Sequence, residues 1–293
     1  MIKLNSLQFA ITREDPLIEE QLIRNMDAKN LLMICSGGDT ILYLKSVLPQ
    51  LSITAFDFNP YQLEHFRTKT SDTIIGNFES LFLQWKRFFN EFIVSEADTL
   101  KIFNRPELFP EEIFKSRWWD VSFDLHFHDS FLRTMFGEAA IQHAPKGSYP
   151  RYFQKVFERG LRSNNFQQNP FLQHIFFGKY LKTPAYLSNR PDTSDVDLIQ
   201  GTLFDVPEIE KFDLVQLSNI FDWSSLEEIK STCDYLRKGM KSGSVLLVRQ
   251  INNEAPIEEI LGSDFICDGN MGKELVSKDR SLFYSNIIVA RKK

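Results

Sequence analysis

Two short stretches near the N-terminus of this sequence carry side chains that could bind a nucleoside. The first is the turn at residues 36–39, with the sequence Ser-Gly-Gly-Asp, and the second is Asp57, which follows Gly37 by 20 positions. A glycine turn at the start of a helix lets a ligand approach free backbone N–H groups, and an acid about 20 residues later can accept both hydroxyls of a ribose. This spacing predicts a nucleoside site.

Apolar runs predict that both stretches follow strands. Residues 31–35 form a continuous apolar run, typical of a strand buried on both faces, and helical periodicity follows the turn. A second apolar run at 53–56 leads to Asp57, after which Asn59 and Pro60 provide a helix N-cap and first residue. The pattern indicates a βαβ unit. A plain βαβ turn with an exposed Asp57 is the alternative.

The composition of the turn limits which nucleoside-containing ligands could bind there. It lacks the three glycines of dinucleotide-binding proteins, and Asp39 would repel a phosphate group. S-adenosylmethionine (SAM), which carries ribose hydroxyls, an ammonium group and a sulfonium, fits better and is the expected cofactor. We assign Asp57 to the ribose hydroxyls and Asp39 to the ammonium group. Gly37 and Gly38 would allow the ligand to approach the backbone closely.

Length and composition limit the class of protein. The 293 residues include 43% hydrophobic and 25% charged residues, which is typical of a globular protein, and the net charge of −5 argues against a general nucleic-acid binder. No apolar run is long enough to cross a membrane, and no signal-peptide pattern is found. Three scattered cysteines and the isolated pair His126 and His128 predict neither disulfides nor a metal site. We therefore expect a cytoplasmic protein.

The order of the predicted elements indicates an α/β fold with a large helical insertion. The alternation of strands and helices stops near residue 75 and returns near residue 196, which predicts a mostly parallel, doubly wound, Rossmann-like sheet. Residues 1–74 would form an N-terminal helix and the first part of this domain, 75–190 a helical cap on the acceptor side, and 191–293 the remainder. An aromatic stripe at 78–92 predicts the core of the cap.

Ligands of such sheets bind at the carboxyl ends of the strands, at the topological switch point. Predicted strands at 197–201 and 212–217 place further residues there. We assign Leu203 and Asp205 to the adenine edge, although Asp205 capping the next turn is an alternative. The expected cofactor residues are therefore Ser36, Gly37, Gly38, Asp39, Asp57, Leu203, Asp205 and Asn219.

Motifs along nearly the whole chain resemble one family. They are Glu14-Asp15-Pro16, the loop 142–150 (QHAPKGSYP), Tyr152-Phe153 and residues 169–172 (NPFL). With the glycine turn and Asp57, which look like the class I SAM-dependent methyltransferase fold, they resemble the SAM:diacylglycerol 3-amino-3-carboxypropyltransferase family of betaine-lipid synthesis. The resemblance implies transfer of the aminocarboxypropyl group of SAM to a lipid hydroxyl, with release of methylthioadenosine. This chain has Arg13 where the family has tryptophan, and Gly-Asp-Thr at 38–40 where the family has Gly-Cys-Asn.

An alcohol acceptor requires a base, because its proton is lost as the new bond forms. His143 is the first candidate, with Asp222 and Glu14 as the others, although a loop histidine could instead hold backbone groups. The residues expected to position the acceptor are Gln142, Ser148, Tyr149 and Tyr152. Methyl transfer to a small molecule or lipid, and SAM binding without catalysis, are the alternative functions.

A basic aromatic helix is predicted at 149–162. Its alternation of cations with aromatic residues is typical of a helix lying on anionic lipid, and a lipid acceptor would require such access. An amphipathic helix with a solvated basic face is the alternative. We therefore expect a small-molecule or lipid acceptor and peripheral membrane contact through this helix. The sequence gives no indication of oligomeric state.

Overall fold

One mixed sheet forms the centre of the molecule. The structure is a computed structural model that describes residues 6–70 and 75–293. In these ranges the strands follow the order β3-β2-β1-β4-β5-β7-β6, and only β7 runs antiparallel to its neighbours. The strands are β1 (Asn30–Ile34), β2 (Ser52–Asp57), β3 (Asp197–Gln200), β4 (Leu214–Gln216), β5 (Val245–Gln250), β6 (Phe265–Cys267) and β7 (Asn286–Lys292).

Helices cover both faces of this sheet and form the insertion. Side chains of β1 alternate between two apolar clusters, with Leu31 and Met33 in one and Leu32 in the other, as expected for a strand buried on both faces. The α helices of the described residues are α1 (Pro16–Met26), α2 (Asp39–Val47), α3 (Pro60–Thr68), α4 (Asn77–Phe92), α5 (Glu96–Asn104), α6 (Arg117–His126), α7 (Asp129–Phe136), α8 (Tyr149–Leu161), α9 (Pro170–Phe177), α10 (Ala185–Ser188), α11 (Leu226–Gly239), α12 (Ile257–Leu261) and α13 (Gly269–Lys278).

The strand order creates a switch point between β1 and β4. From β1 the chain moves to β2 and β3 on one side, and β4 and β5 lie on the other side. A crevice at the carboxyl ends of β1 and β4 is where such sheets bind ligands. The predicted mostly parallel α/β sheet is thus confirmed.

The insertion has an aromatic core of its own. On α4, Leu81, Phe82, Trp85 and Phe89 are buried, whereas Phe92 is about half exposed. Trp85 packs edge-to-face against rings of α8 and α9, with centroid distances of 4.8 Å to Phe157 and 5.4 Å to Phe176. The aromatic stripe therefore forms the core of the cap, as predicted, except at Phe88, which is partly exposed, and at Phe92.

Residues 6–15, here called the N-terminal segment, lie across the sheet and the cap. The backbone N–H of Ala10 donates to the Glu79 carboxylate of α4 at 2.9 Å, and the carbonyl of Ala10 accepts from Lys69 Nζ at 2.7 Å. The amide of Gln62 on α3 accepts from the backbone N–H of Gln8 and donates to the carbonyl of Phe9. This segment thus connects the first helices of the sheet domain to the first helix of the insertion.

Candidate functional site

Two serines in a left-handed conformation follow the strands on either side of the switch point. Ser36, two residues after β1, has φ 48°, and Ser218, two residues after β4, has φ 52°. Non-glycine residues rarely adopt this conformation, and it is concentrated at functional sites. Both serines thus lie at the edge of the sheet that the sequence predicted, although five further non-glycine residues of the described ranges also have positive φ.

Asp57 lies at this edge, at the end of β2. One carboxylate oxygen accepts from the N–H of Ser36 at 3.1 Å and the other from the N–H of Asn59 at 3.0 Å. The residue is 7% exposed, and this burial raises the pKa of Asp57 to about 6. A carboxylate offers about four acceptor positions, so two of them remain for a further ligand.

The two glycines of the turn contact protein rather than open space. A Cβ at Gly37 would lie 2.4 Å from the backbone nitrogen of Thr12, and one at Gly38 would lie 2.7 Å from the Phe66 ring. Gly38 also has φ 80°, which favours glycine. These glycines therefore allow the N-terminal segment and α3 to pack against the turn, and their contact with a ligand stays a prediction.

The carboxylate of Asp39 is likewise bound by other groups of the protein. Its carboxylate forms an ion pair with Lys69 Nζ at 2.6 Å and accepts from the N–H of Thr12 at 2.7 Å. Tyr186 approaches its other oxygen at 3.4 Å, and the residue is only 3% exposed. Because this carboxylate is already neutralised, its assignment to the SAM ammonium group is corrected to a structural role.

Of the residues after β3, Leu203 lies in the core, whereas Phe204 and Asp205 lie at the surface. Asp205 is exposed and accepts from the N–H and the hydroxyl of Thr202 at 2.8 and 2.9 Å, bonds that lower the pKa of Asp205. It therefore caps its own turn, which was the alternative for this residue. Leu203 is buried among apolar side chains, whereas Phe204 is 52% exposed.

Phe58 is a further candidate that the sequence reasoning did not single out. It directly follows Asp57 and is 45% exposed. The neighbouring strand β3 is held to β2 at this point by a bond from the Gly201 N–H to the Asp57 carbonyl at 3.0 Å, so Phe204 follows at the same edge. Two exposed aromatic rings near the carboxyl ends of adjacent strands, one of them next to Asp57 in the chain, suit an adenine base. An aromatic residue directly after a strand-end acid could have indicated this.

Asp222 occupies a buried polar position after β4. Its carboxylate accepts from Asn219 Nδ2 at 3.0 Å, Asn253 Nδ2 at 2.5 Å and the backbone N–H of Ile251 at 2.9 Å. Burial raises the pKa of Asp222 to about 7, although these three bonds oppose the shift. A carboxylate with a pKa near neutrality is suited to accept a proton from an alcohol.

The loop 142–150 of the cap lies close to Asp222. His143 Nε2 donates to the carbonyl of Ser224 at 2.5 Å, and its own carbonyl accepts from the N–H of Glu254 at 3.1 Å. The neutral ring therefore has its proton on Nε2 and its acceptor at Nδ1. Gln142 is exposed, and Ser148 accepts from Asn252 Nδ2 at 2.8 Å. The structure thus brings His143, Ser148 and Asp222 to one region, with His143 bound to backbone there.

The two predicted acceptor tyrosines use their hydroxyls inside the protein. Tyr149 donates to the carbonyl of Ala140 at 2.9 Å, and Tyr152 donates to the carbonyl of Phe283. Burial raises the pKa of both tyrosines, and the charge of Asp222 contributes to both shifts. They therefore lie near Asp222, but their present role is to hold the cap in place.

Glu14 belongs to a buried charge cluster beneath the switch point, together with Glu19 and Arg249. Arg249 Nη1 lies 3.3 Å from Glu14 and 2.7 Å from Glu19. Glu14 also accepts from Gln216 Nε2 and from the Ser218 hydroxyl. Burial raises the pKa of Glu14, the charge of Arg249 opposes this and Glu19 adds to it. Ser218 and Asn219 link this cluster to Asp222.

The family-like motifs converge on residues 279–285, here called the connecting segment. Asp15 binds Arg280 with an Nε–Oδ2 distance of 2.6 Å, and Asn169 Nδ2 donates to the carbonyl of Arg280 at 2.8 Å. Tyr152 reaches the carbonyl of Phe283. This segment is irregular, and β7 begins only at Asn286. Motifs from the N-terminal segment and the cap thus meet beside the sheet.

The basic helix α8 packs its aromatic face into the cap. Its rings Phe153 and Phe157 are buried in the cap core. Arg151 is paired with Asp124 at 2.9 Å and Arg162 with Glu158 at 3.1 Å, while Arg159 donates to the carbonyl of Leu282. These contacts are those of an amphipathic packing helix, the alternative for this segment, and membrane contact through it stays a prediction. No helix of the described residues combines the length and apolar character needed to cross a membrane.

A groove of about 600 Å³ lies elsewhere, at the amino end of β3. Its lining includes Phe66, Arg190 and Asp197, and it contains none of the predicted site residues. It is open to solvent and polar, and the switch point offers the denser set of buried acids. We therefore place the candidate site at the switch point.

Comparisons with known proteins do not assign this chain to a family. No protein-family model matches the chain, and no curated protein matches its sequence. The geometry of the switch point and the motifs of the sequence are therefore the observations that bear on function.

Proposed function

We propose that this protein is a SAM-dependent transferase that moves the 3-amino-3-carboxypropyl group to a hydroxyl of a lipid or small-molecule acceptor. One observation carries the proposal. A buried acid with open acceptor positions, Asp57, and a buried acid with a pKa of about 7, Asp222, follow strands at the same edge of a doubly wound sheet. Asp57 could accept hydrogen bonds from a ribose, and Asp222 could accept the proton of an alcohol.

The residues after β2 and β3 fit the nucleoside part of SAM. Asp57 retains two acceptor positions, which matches the two hydroxyls of a ribose. The exposed rings of Phe58 and Phe204 would flank the adenine. When bound, SAM supplies an activated carbon next to a sulfonium, and the C–S bond electrons remain on sulfur when that carbon is transferred.

Asp222 is our proposed general base. It would accept the hydroxyl proton of the acceptor, and Asn219 and Asn253 would orient its carboxylate for that transfer. His143, on the adjacent loop, would help to position the acceptor. The cap covers this region and would exclude water that could otherwise compete with the acceptor.

The family resemblance supports the choice of the transferred group. Its motifs are distant in sequence, yet Asp15, Tyr152 and Asn169 all contact the connecting segment. The antiparallel pairs that β7 forms with β5 and β6 at the end of the sheet are also compatible with the class I methyltransferase fold. Fold-level likeness does not determine the reaction, so the product must be measured.

The product left from SAM distinguishes the reactions. We expect purified protein incubated with SAM and a lipid extract of its host to produce methylthioadenosine, detected by mass spectrometry above a control without enzyme. S-adenosylhomocysteine would instead show methyl transfer and contradict the proposed group. SAM binding without either product would favour a non-catalytic role.

Replacing Asp57 tests the cofactor site. We expect Asp57→Ala to raise the Kd for SAM about 100-fold, because hydrogen bonds to a charged acceptor are lost, while the fold stays intact. The matched control is Asp205→Ala, since Asp205 is also an acid after a strand but only caps its own turn. Isothermal titration calorimetry would measure both. Equal affinities for the two variants would contradict the assignment of Asp57.

A further inference from the structure

Arg13 is a buried cation that forms no ion pair with a carboxylate of residues 6–70 or 75–293. It is 6% exposed, and its Nε and Nη1 atoms have no hydrogen-bond partner among residues 6–70 and 75–293. Its Nη2 lies 3.5 Å from His174 Nδ1, and the guanidinium stacks over the Phe82 ring at 4.8 Å. A buried charge without a counter-ion is costly, so this arrangement calls for an anion.

The other buried lysines and arginines of the described residues differ from Arg13 in this respect. Each has a carboxylate oxygen within 2.7 Å of a side-chain nitrogen. The pairs are Lys45 with Asp195, Lys69 with Asp39, and Arg249 with Glu19. Burial lowers the pKa of Arg13, whereas the charges of Glu19 and Glu14 overcome burial and raise the pKa of Arg249.

Two buried acids, Glu79 and Asp39, influence the charge of Arg13, but neither forms an ion pair with it. Glu79 accepts from the backbone N–H groups of Ala10 and Gly76, both at 2.9 Å. Asp39 is committed to Lys69 and to the backbone of Thr12. The charge of Glu79 raises the pKa of Arg13 without overcoming burial, so the guanidinium nitrogens still lack a direct charged acceptor.

Arg13 lies at the switch point. Its neighbour Thr12 is bound to Asp39 at the start of α2, and its other neighbour, Glu14, is bound to Gln216 of β4. The backbone of Arg13 therefore bridges the carboxyl ends of β1 and β4. Its side chain extends to Phe82 of α4 and His174 of α9, at the boundary between the sheet domain and the cap.

We propose that Arg13 binds the carboxylate of the amino-acid end of SAM. The inference rests on the proposed function, because that end is the group to be transferred. A carboxylate supplies two charged acceptors for nitrogens that have none, and arginine matches its planar geometry. Because the guanidinium is covered by Phe82 and His174, binding requires the cap helices to move and then encloses the carboxylate.

Calorimetric titration of Arg13→Met with two cofactors tests this contact. The cofactors are SAM and decarboxylated SAM, which keeps the sulfonium and the ammonium group but lacks the carboxylate. We expect wild-type protein to bind SAM about 10- to 100-fold more tightly than decarboxylated SAM, and Arg13→Met to lose that preference. Methylthioadenosine, which lacks the whole amino-acid end, should bind equally to both proteins.

Thermal unfolding without ligand separates ligand binding from a structural role. Arg13→Met removes an unpaired charge and keeps the volume, so its Tm should equal or exceed that of wild-type protein. The matched control is Arg249→Met, where the same substitution leaves two acids unpaired and should lower Tm.

Four results would overturn the proposal. A preserved preference for SAM in Arg13→Met would show that its carboxylate binds elsewhere. A fall in Tm like that of Arg249→Met would show that Arg13 supports the fold. If wild-type protein binds neither SAM nor methylthioadenosine, the proposed cofactor itself is wrong. If it binds methylthioadenosine but does not prefer SAM to decarboxylated SAM, only the role of Arg13 is contradicted.

Discussion

Substituting asparagine for Asp222 is expected to slow the transfer about 10²- to 10⁴-fold, the usual contribution of a general base. The carboxylate has a pKa of about 7 because it is buried, so near neutral pH it can accept a proton and return it to solvent. Asparagine keeps the shape of the side chain but cannot accept that proton. SAM affinity should be unchanged, and calorimetry on the variant would check this and show that the fold survives.

The pH dependence of the rate should identify the base. In wild-type protein the rate should rise as pH increases through about 7, where Asp222 ionises, and this rise should be absent in Asp222→Asn. His143→Asn is the matched control and should keep the rise. If the rise disappears in His143→Asn and persists in Asp222→Asn, His143 is the base and our assignment is wrong.

Asp222 should also make stability depend on pH. Its folded pKa of about 7 lies above its ordinary value of 3.8, so the folded state binds the proton more tightly than the unfolded chain. The resulting stabilisation is complete below the unfolded pKa and is lost as pH rises through about 7. Urea unfolding at pH 5 and pH 8 should show a smaller difference in Asp222→Asn than in wild-type protein.

Replacing Arg249 with methionine is expected to lower the free energy of unfolding by about 3–5 kcal/mol, the usual effect of removing one partner from a buried ion pair. Arg249 is fully buried and contacts both Glu14 and Glu19. Methionine would fill much of the space but leave both acids without their counter-ion. Urea unfolding monitored by tryptophan fluorescence would measure the loss.

A combined variant tests whether the loss comes from unpaired acids. Arg249→Met with Glu14→Gln and Glu19→Gln removes all three charges of the cluster. We expect it to recover part of the stability lost in Arg249→Met alone, because neutral amides are less costly to bury than carboxylates. An equally large loss in the triple variant would attribute the effect to packing.

The parts of the fold set by local patterns could be predicted from the sequence. Asn59 caps α3 with its side chain, and Pro60 is the first helical residue, because both preferences depend on residues adjacent in the chain. The apolar run at 31–35 forms a strand buried on both faces for the same reason. Helical spacing likewise identified the core positions of α4, since periodicity reports which face is apolar.

The side-chain partners within the candidate site could not be predicted in this way. Asp39 has the residue type and position of a ligand-binding acid, yet Lys69, 30 positions later, neutralises it. Gly37 has the pattern of a ligand turn, yet Thr12 approaches it from an earlier segment. Gly160 lies in the last turn of α8, where a Cβ would be 2.4 Å from the Leu282 side chain. Such contacts depend on where distant segments meet.

The N-terminal segment has a consequence for the order in which the chain folds. Its acid Asp15 binds Arg280, 265 positions away, and Glu14 binds Gln216, 202 positions away. During synthesis these first residues emerge long before their partners exist. Contacts between such distant positions form slowly, because a long loop must close before they contribute. The segment that spans the switch point is therefore completed only after nearly the whole chain has been made, and a truncated product would lack the closed site.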